Sequence, residues 1–386
     1  MTTIPADLAR TRMEWLRRDL DAHLDPALPT PRSIFLARTA ADHWAEVQVG
    51  VAAASAGGIT VNTAYSIKTN PDPELLMLAR SSGMLVEAIS QLELRKALES
   101  GFPPAAVVLN GPGKWWPRRV ACMPLRAVFC DSLVELDQVC QWMHQGDALA
   151  DVVGVRIRPP GLTSRFGIEL SAPRALEEVV CAVRQLPRNV GFGVHVHLQR
   201  ELSSGLRRWS MVDATLRTAV RLEQAASRPV RTLDIGGGWG PAALLGELLP
   251  GLARFCGRAA ATLAHLQEVL IEPGRGLAEP TMAMLTRVLE VRSRTGKEPD
   301  VIVDAAVSDL PDIARHPHRL FIRTAGSGQW QALAWGSGSI FGRSCMESDV
   351  LATCVTVPSD VAVGDYVAVA DAGAYDVSKS YAFGCG

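Results

Sequence analysis

No run of about 18 apolar residues occurs anywhere in the chain, which excludes an ordinary membrane-spanning helix. Neither sign of charge is in excess: 39 basic against 40 acidic residues leave a net charge of −1. That balance gives no electrostatic case for nucleic acid or an anionic membrane as partner. The 8 cysteines are scattered, with no Cys-x-x-Cys pair, no zinc spacing and no compact disulfide framework. Their pattern suits buried thiols in a reducing cytoplasm. Met1 to Asp21 is charged and helix-like and lacks the apolar core of a signal peptide. Internal repeats and low-complexity tracts are also missing.

What is present is the composition of a soluble globular enzyme, 48% hydrophobic and 20% charged over 386 residues. That length exceeds one ordinary core, so we expect two domains. From about residue 40 to 280, short apolar runs alternate with amphipathic helices. The runs include Val61–Ile67, Val107–Leu109, Ala127–Phe129, Val152–Ile157, Val194–His197, Thr232–Ile235 and Val269–Ile271. About eight βα units over roughly 240 residues suit an α/β fold, a (β/α)8 TIM-like barrel, with a doubly wound open sheet as the alternative. After Pro280 helical periodicity fades. Met282–Ser293, Asp300–Asp304, Arg319–Ile322, Asp349–Val357 and Tyr366–Ala370 read as strands of a C-terminal β-sandwich or β-barrel domain. The strand Arg32–Arg38 is expected to pair with it. The expected division is 1–39 for the N-terminal helix and first strand, 40–280 for the barrel and 281–386 for the β domain.

Chemistry concentrates at the ends of the predicted strands. Lys68 closes the Val61–Ile67 run; a lysine there is usually a solvated surface group, but apolar surroundings can turn it into a nucleophilic amine. Leu233-Asp-Ile-Gly-Gly-Gly-Trp-Gly240 runs a strand into Gly236, Gly237 and Gly238 and then toward a helix. Bare backbone N–H groups there could cradle a phosphate, or form only a tight turn. The Walker lysine and hydroxyl are missing. Ile271-Glu-Pro-Gly-Arg-Gly-Leu277 places Glu272, Gly274 and Arg275 at another strand end. Glu272 could pair with a pyridinium N–H, or the stretch could be a capped turn with a surface ion pair. Val194-His-Val-His197 puts two imidazoles on one strand face, open to metal ligation or to packing in a barrel. No third His or Cys ligand follows at a recognisable spacing, so we expect no metal. An amine, an anion cradle and a pyridinium partner are together the three handles of pyridoxal 5'-phosphate (PLP).

These segments resemble the fold-type III PLP decarboxylases, which include ornithine, arginine and diaminopimelate decarboxylases, and the resemblance covers nearly the whole chain. Tyr65-Ser-Ile-Lys68 is similar to that family's Tyr-Ala-Val-Lys, and Glu87 matches its acidic residue near the cofactor. Asn110-Gly-Pro-Gly-Lys114, Asp131-Ser132 and Ser164-Arg-Phe-Gly167 follow its barrel turns, and His197 falls where its ring-stacking histidine stands. Cys345-Met-Glu-Ser-Asp349 resembles its Cys-Glu-Ser-x-Asp, and Asp371-Ala-Gly-Ala-Tyr375 its Gly-Ala-Tyr phosphate clasp. Taken residue by residue, the resemblance implies catalytic roles for Lys68, His197, Glu272 and Cys345. It implies cofactor contacts from Glu87, Arg156, Gly236–Gly238, Gly274, Arg275 and Tyr375. Cys345 and Asp349 would reach into a partner subunit, making the enzyme a homodimer. The expected activity is loss of the α-carboxylate as CO2. An amino-acid racemase and a non-catalytic PLP-binding regulator are the alternatives.

Departures from the family bear on substrate. Where diaminopimelate decarboxylases carry an arginine for the distal carboxylate, this chain has Asp312, and a tyrosine further on gives way near His316. Leu198-Gln-Arg200 replaces the family's Val-Gly-Ser, adding a cation at Arg200. The stretches Gly342–Asp349 and Gly373–Gly384 resemble decarboxylases of carboxylate-siderophore pathways, which act on diamino acids joined to citrate. We therefore expect a citryl-diamino acid such as citryl-diaminopropionate, with Arg200, Asp312, His316, Glu347 and Asp349 binding it. The alternative is a free basic amino acid, with Asp312 meeting a distal amine, or diaminopimelate.

Overall fold

Eight short apolar strands, each followed by a turn into a helix or loop, build the larger unit in the computed structural model of the chain, which describes residues 6–55, 58–116, 124–198 and 205–383. Arg200, expected to bind substrate, lies outside these residues. The chain forms two compact units, one comprising Met1–Trp44 with Leu277–Gly386 and the other Ala45–Gly276.

The second unit is a closed parallel barrel. Its strands are β2 (Thr60–Ser66), β3 (Leu85–Ala88), β4 (Val107–Leu109), β5 (Leu125–Cys130), β6 (Ala150–Arg156), β7 (Gly191–His195), β8 (Val230–Asp234) and β9 (Glu268–Ile271). Pairing of β9 with β2, Thr63 against Ile271, closes the ring and excludes the open sheet. β3 is four residues long and carries Glu87 inward, so it shows no apolar run of its own. His197 lies two residues beyond the end of β7, not within a strand as the sequence pattern predicts.

Phe129 fills the barrel interior. It pairs in register with Gly154 on β6, which pairs with Gly193 on β7. A Cβ on Gly154 would collide with the Phe129 ring, and one on Gly193 would come within 3.0 Å of it. Two strands thus give up side chains to seat one aromatic, the large-against-small packing that a filled barrel needs. The N-terminal end is closed by polar groups around Glu268, 3% exposed, which accepts from Asn62 Nδ2 at 2.6 Å and Arg126 Nη2 at 2.7 Å.

Two βα turns use one device. Ser90 and Ser132 cap the helices Gln91–Glu99 and Leu133–His144, each Oγ accepting from the N–H three residues on. Glu93 and Glu135 then reach back to the N–H groups of Ile89 and Asp131, at 2.8 and 2.7 Å. This Ser-x-x-Glu box fixes where each helix starts, and so where each strand end opens.

The other unit is an eight-stranded mixed sheet. β1 (Arg32–Phe35) pairs antiparallel with β10 (Met282–Arg294), Arg32 against Leu285. The main path runs β13 (Trp330–Ala332), β12 (Leu320–Arg323), β16 (Tyr366–Ala370), β10, β11 (Lys297–Val303), β14 (Trp335–Phe341) and β15 (Val350–Val355). Its central strands are buried on both faces with period two. Val367 and Val369 join one cluster with Val288, Val301, Ile322 and Ile340. Ala368 and Ala370 join another with Phe321, Leu285 and, from the helix Ala6–Ala22, Leu16 and Leu20. β13 and β14 are absent from the sequence-based expectation, because Trp335-Gly-Ser-Gly-Ser-Ile-Phe341 carries no apolar alternation.

Candidate active site

Parallel barrels place their strand C-termini on one face, where side chains from separate strands converge. Lys68 stands in the 3-10 turn Ile67–Thr69 directly after β2. Tyr65 holds that turn by donating from its hydroxyl to the Asn70 carbonyl oxygen at 2.8 Å. Lys68 Nζ donates to Glu87 Oε2 at 2.6 Å, and Ser66 Oγ donates to the same oxygen. Behind them, burial raises the Glu93 carboxyl to about 7, with the Ile89 N–H opposing and the charge of Glu87 adding to the rise.

Glu272 follows β9 and is 1% exposed. Asn110 Nδ2, just past β4, donates to its Oε1. His197 Nδ1 lies 3.2 Å and His195 Nε2 3.8 Å from its Oε2. Burial works against ionisation of Glu272, but the two imidazoles and Lys68 outweigh it and hold the carboxyl below its ordinary range. Its neighbour Asp234, at the end of β8, is pushed the other way: burial and the charge of Glu272 raise it well above the usual carboxyl range. One of the two groups is therefore anionic and the other keeps its proton. Burial also pushes the His195 pKa down, against the pull of Glu272, and its ring lies 5.3 Å from Phe129 in a tilted contact.

The glycine turn lies against this carboxylate. Gly236 N donates to Asp234 Oδ1 at 2.8 Å, and Gly237 N lies 3.3 Å from His197 Nδ1. A Cβ on Gly236 would strike the Val196 carbonyl oxygen, and one on Gly237 the Glu272 carbonyl oxygen. Gly236 and Gly238 hold positive φ, 67° and 86°. A Cβ on Gly274 would collide with Thr69 Oγ1, tying the start of the short helix Gly274–Ala278, with Arg275, to the Lys68 turn. Arg156, closing β6, lies 3.4 Å from Asp131 Oδ1 and 4.8 Å from the Phe166 ring centre.

All the barrel residues singled out in the sequence, other than Arg200, thus stand at strand ends. The sequence did not show Asn110 or Asp234 as neighbours of Glu272; both lie inside motifs, but only the barrel sets β8 beside β9 and turns the end of β4 toward the same mouth.

In the other unit, Asp312 is 1% exposed. Its carboxylate oxygens lie 3.4 Å from Lys379 Nζ and 3.8 Å from His316 Nε2. A buried acid facing Lys379 and His316 of its own chain differs from the open acceptor for a distal amine expected from sequence. Cys345 is exposed, as is Glu347. Asp349 is buried, and its oxygens accept from the N–H groups of Val307 and Ser344, both at 2.7 Å. That carboxylate braces its own loop instead of standing open to a substrate. Tyr375 is half-buried, at a left-handed φ of 71°.

Several buried polar atoms at the barrel site have no hydrogen-bond partner: Glu87 Oε1, Asn110 Oδ1 and both nitrogens of His195. Buried polar atoms ordinarily find partners, so such a cluster marks a place built for a polar ligand. His195, His197 and Glu272 offer ligand atoms within 4.8 Å of one another, which by geometry alone a metal ion could also use. An amine beside one carboxylate, an ionised carboxylate across the mouth and a bare glycine turn fit PLP more fully, since each of its polar ends meets a complementary group.

Comparison with known proteins agrees. The family described as "Pyridoxal-dependent decarboxylase, pyridoxal binding domain" matches residues 46–279. A diaminopimelate decarboxylase of Actinosynnema pretiosum is 30% identical over 337 residues, 81% of this chain and 73% of that one. An ornithine decarboxylase of Schizosaccharomyces pombe is 26% identical over 341 residues, 83% of this chain and 74% of the relative. Among solved structures, a diaminopimelate decarboxylase from M. jannaschii superposes with a TM-score of 0.77 at 20% identity, covering 92% of this chain and 84% of that one. A lysine decarboxylase from Selenomonas ruminantium gives 0.71 at 19% identity, covering 98% and 93%. The barrel-plus-β-sheet fold is theirs. With Lys68, Glu272 and the glycine turn in place, the chain belongs to the pyridoxal-dependent decarboxylases and is a PLP-dependent carboxy-lyase.

Proposed function

We propose that this enzyme removes the α-carboxylate, as CO2, from a free amino acid carrying a second amino group, the class of diaminopimelate and ornithine. Support comes from the relatives named for those substrates, which align over most of the chain. The observation that carries the chemistry is Glu272, fully buried yet held ionised at the same barrel mouth as Lys68.

When bound, PLP supplies an electron sink for the pair left by the departing carboxylate. Lys68 would hold its aldehyde carbon, with Glu87 keeping the amine oriented. Glu272 would face the ring nitrogen and keep it protonated, since a fixed anion there favours the charged form. Asn110 and His197 would hold the Glu272 carboxylate in place, and His197 would pack on the ring face. Gly236–Gly238, Gly274, Arg275 and Tyr375 would receive the phosphate, and Arg156 would add positive charge to the barrel mouth. Cys345 would return a proton to the α-carbon. The family resemblance supports a cytoplasmic homodimer in which Cys345 serves the partner's site.

A second reading, a diamino acid already joined to citrate, is favoured by one observation. Asp312 is buried against Lys379 and His316, and the more exposed members of that group are the nitrogen donors, Lys379 at 46% and His316 at 25%. An ammonium and an imidazole N–H suit a substrate whose far end carries carboxylates. A CO2-release assay over diaminopimelate, ornithine, lysine and citryl-diaminopropionate separates the readings. Turnover of a free diamino acid at least tenfold above the conjugate supports the first. The reverse ratio rejects it in favour of the second.

A further inference from the structure

Two residues of the turn Asp371–Tyr375 hold left-handed backbone without being glycine: Asp371 at φ 62° and Tyr375 at φ 71°. Such conformations persist in non-glycine residues only where the surroundings over-determine them. The middle of the turn is wedged: a Cβ on Gly373 would strike the Ala278 carbonyl oxygen, and its N–H donates to the Glu279 carbonyl oxygen at 3.2 Å. Its two ends are gripped by consecutive residues of one segment. Asp371 receives Arg319 as a fork, Nε at 2.6 Å and Nη2 at 2.7 Å. Asp376, next to Tyr375 and 1% exposed, faces His318 Nε2 at 2.8 Å, and its other oxygen accepts from Asp312 N at 2.9 Å. His318 Nδ1 in turn lies 2.6 Å from the His316 carbonyl oxygen. Both ring nitrogens therefore face acceptors, which only the doubly protonated ring satisfies.

We propose that His318 and Arg319 are positioning residues for Tyr375, gripping the carboxylates at the two ends of its turn and so fixing the direction of its hydroxyl. The proposal rests on the reading that Tyr375 meets the phosphate of the cofactor. Releasing either grip lets the turn leave the left-handed region and carries the phenol away from a fixed phosphate.

The test is PLP affinity, measured by titrating the cofactor-free protein and following quenching of its fluorescence. Tyr375→Phe sets the scale. His318→Ala and Arg319→Gln should each weaken PLP about tenfold, the size of one charge-assisted hydrogen bond. Combined with Tyr375→Phe, each should add less than about twofold, because residues that act through one group are not additive. His318→Gln, which keeps one donor, should recover part of the loss. Unchanged affinity in His318→Ala and Arg319→Gln while Tyr375→Phe weakens binding overturns the proposal, as do fully additive double variants. Unchanged affinity in Tyr375→Phe itself overturns the reading of Tyr375 instead. Urea midpoints accompany each titration; should His318→Ala fail to fold, Arg319→Gln and Asp371→Asn decide by the same criterion.

Discussion

Lys68 Nζ donates to Glu87 Oε2 at 2.6 Å, and Glu87 is itself 1% exposed. A buried carboxylate that close fixes the direction of the amine. Glu87→Gln keeps the shape and removes the charge. It should lower kcat by about tenfold to a hundredfold, the usual range for losing one charge-assisted contact at a reacting group. Steady-state kinetics with the preferred substrate checks this. Lys68→Ala should abolish turnover altogether, and wild-type rates in that variant would remove Lys68 from the mechanism.

Asp234 keeps its proton beside the ionised Glu272. An amide mimics a protonated acid, so Asp234→Asn should change unfolding free energy by less than about 1 kcal/mol. Asp234→Ala, which strips the acceptor from Gly236 N, should cost about 2 kcal/mol. Urea denaturation of the two variants gives the comparison. Equal losses in both would mean that Asp234 is ionised.

Gly154→Ala forces a methyl into the Phe129 ring. The cost should be about 1–3 kcal/mol, as for other overpacked cores, read as a fall in melting temperature. Phe129→Leu in the same chain should recover part of it. Because His195 rests against Phe129 at 5.3 Å, the overpacked variant should also bind PLP more weakly.

Stability should depend on pH through His318. Burial lowers its tendency to protonate, but the Asp376 carboxylate and the His316 carbonyl, with Asp371 farther off, outweigh burial and leave its pKa raised. Arg319 is its chain neighbour, and Lys379 and Asp312 complete the charged surroundings of Asp376. A group whose folded pKa is raised contributes stability that is fully present below its unfolded value, about 6.5, and is lost as pH rises through the folded value. Melting temperatures of wild type and His318→Gln should differ most in mild acid and converge in alkali. Parallel profiles would show that the ring is neutral in the folded chain.

Much of the site is legible in the sequence, because its key groups sit beside backbone signals. Gly236–Gly238 announce a turn, and Lys68 and Glu272 each end an apolar run. The repeated alternation of strands and helices suits a barrel or an open sheet, and the pairing of β9 with β2 decides for the barrel. What stays hidden is whatever depends on strands meeting. Asp234 and Asn110 lie within visible motifs, but nothing local says that β8 and β4 deliver them to Glu272. Asp312 shows the opposite failure. Its type suggests an open acceptor, and only the packing of the helix Asp376–Lys379 reveals that Lys379 already faces it. β3 and β14 escape notice because an inward glutamate in one and Gly-Ser alternation in the other erase the apolar pattern.

The antiparallel pairing of β1 with β10 has a consequence during synthesis. Leu16, Leu20 and Ile34 belong to a cluster completed by Ala283, Leu285, Phe321 and Ala368, and the whole barrel lies between the two halves in sequence. A growing chain therefore leaves the ribosome with an amphipathic helix whose apolar side has nothing to cover it until the barrel and the strands beyond it have been made. Contacts so distant in sequence form slowly, and exposed apolar surface invites association meanwhile. A version circularly permuted to begin near Leu277 would bring the two halves of this sheet together early.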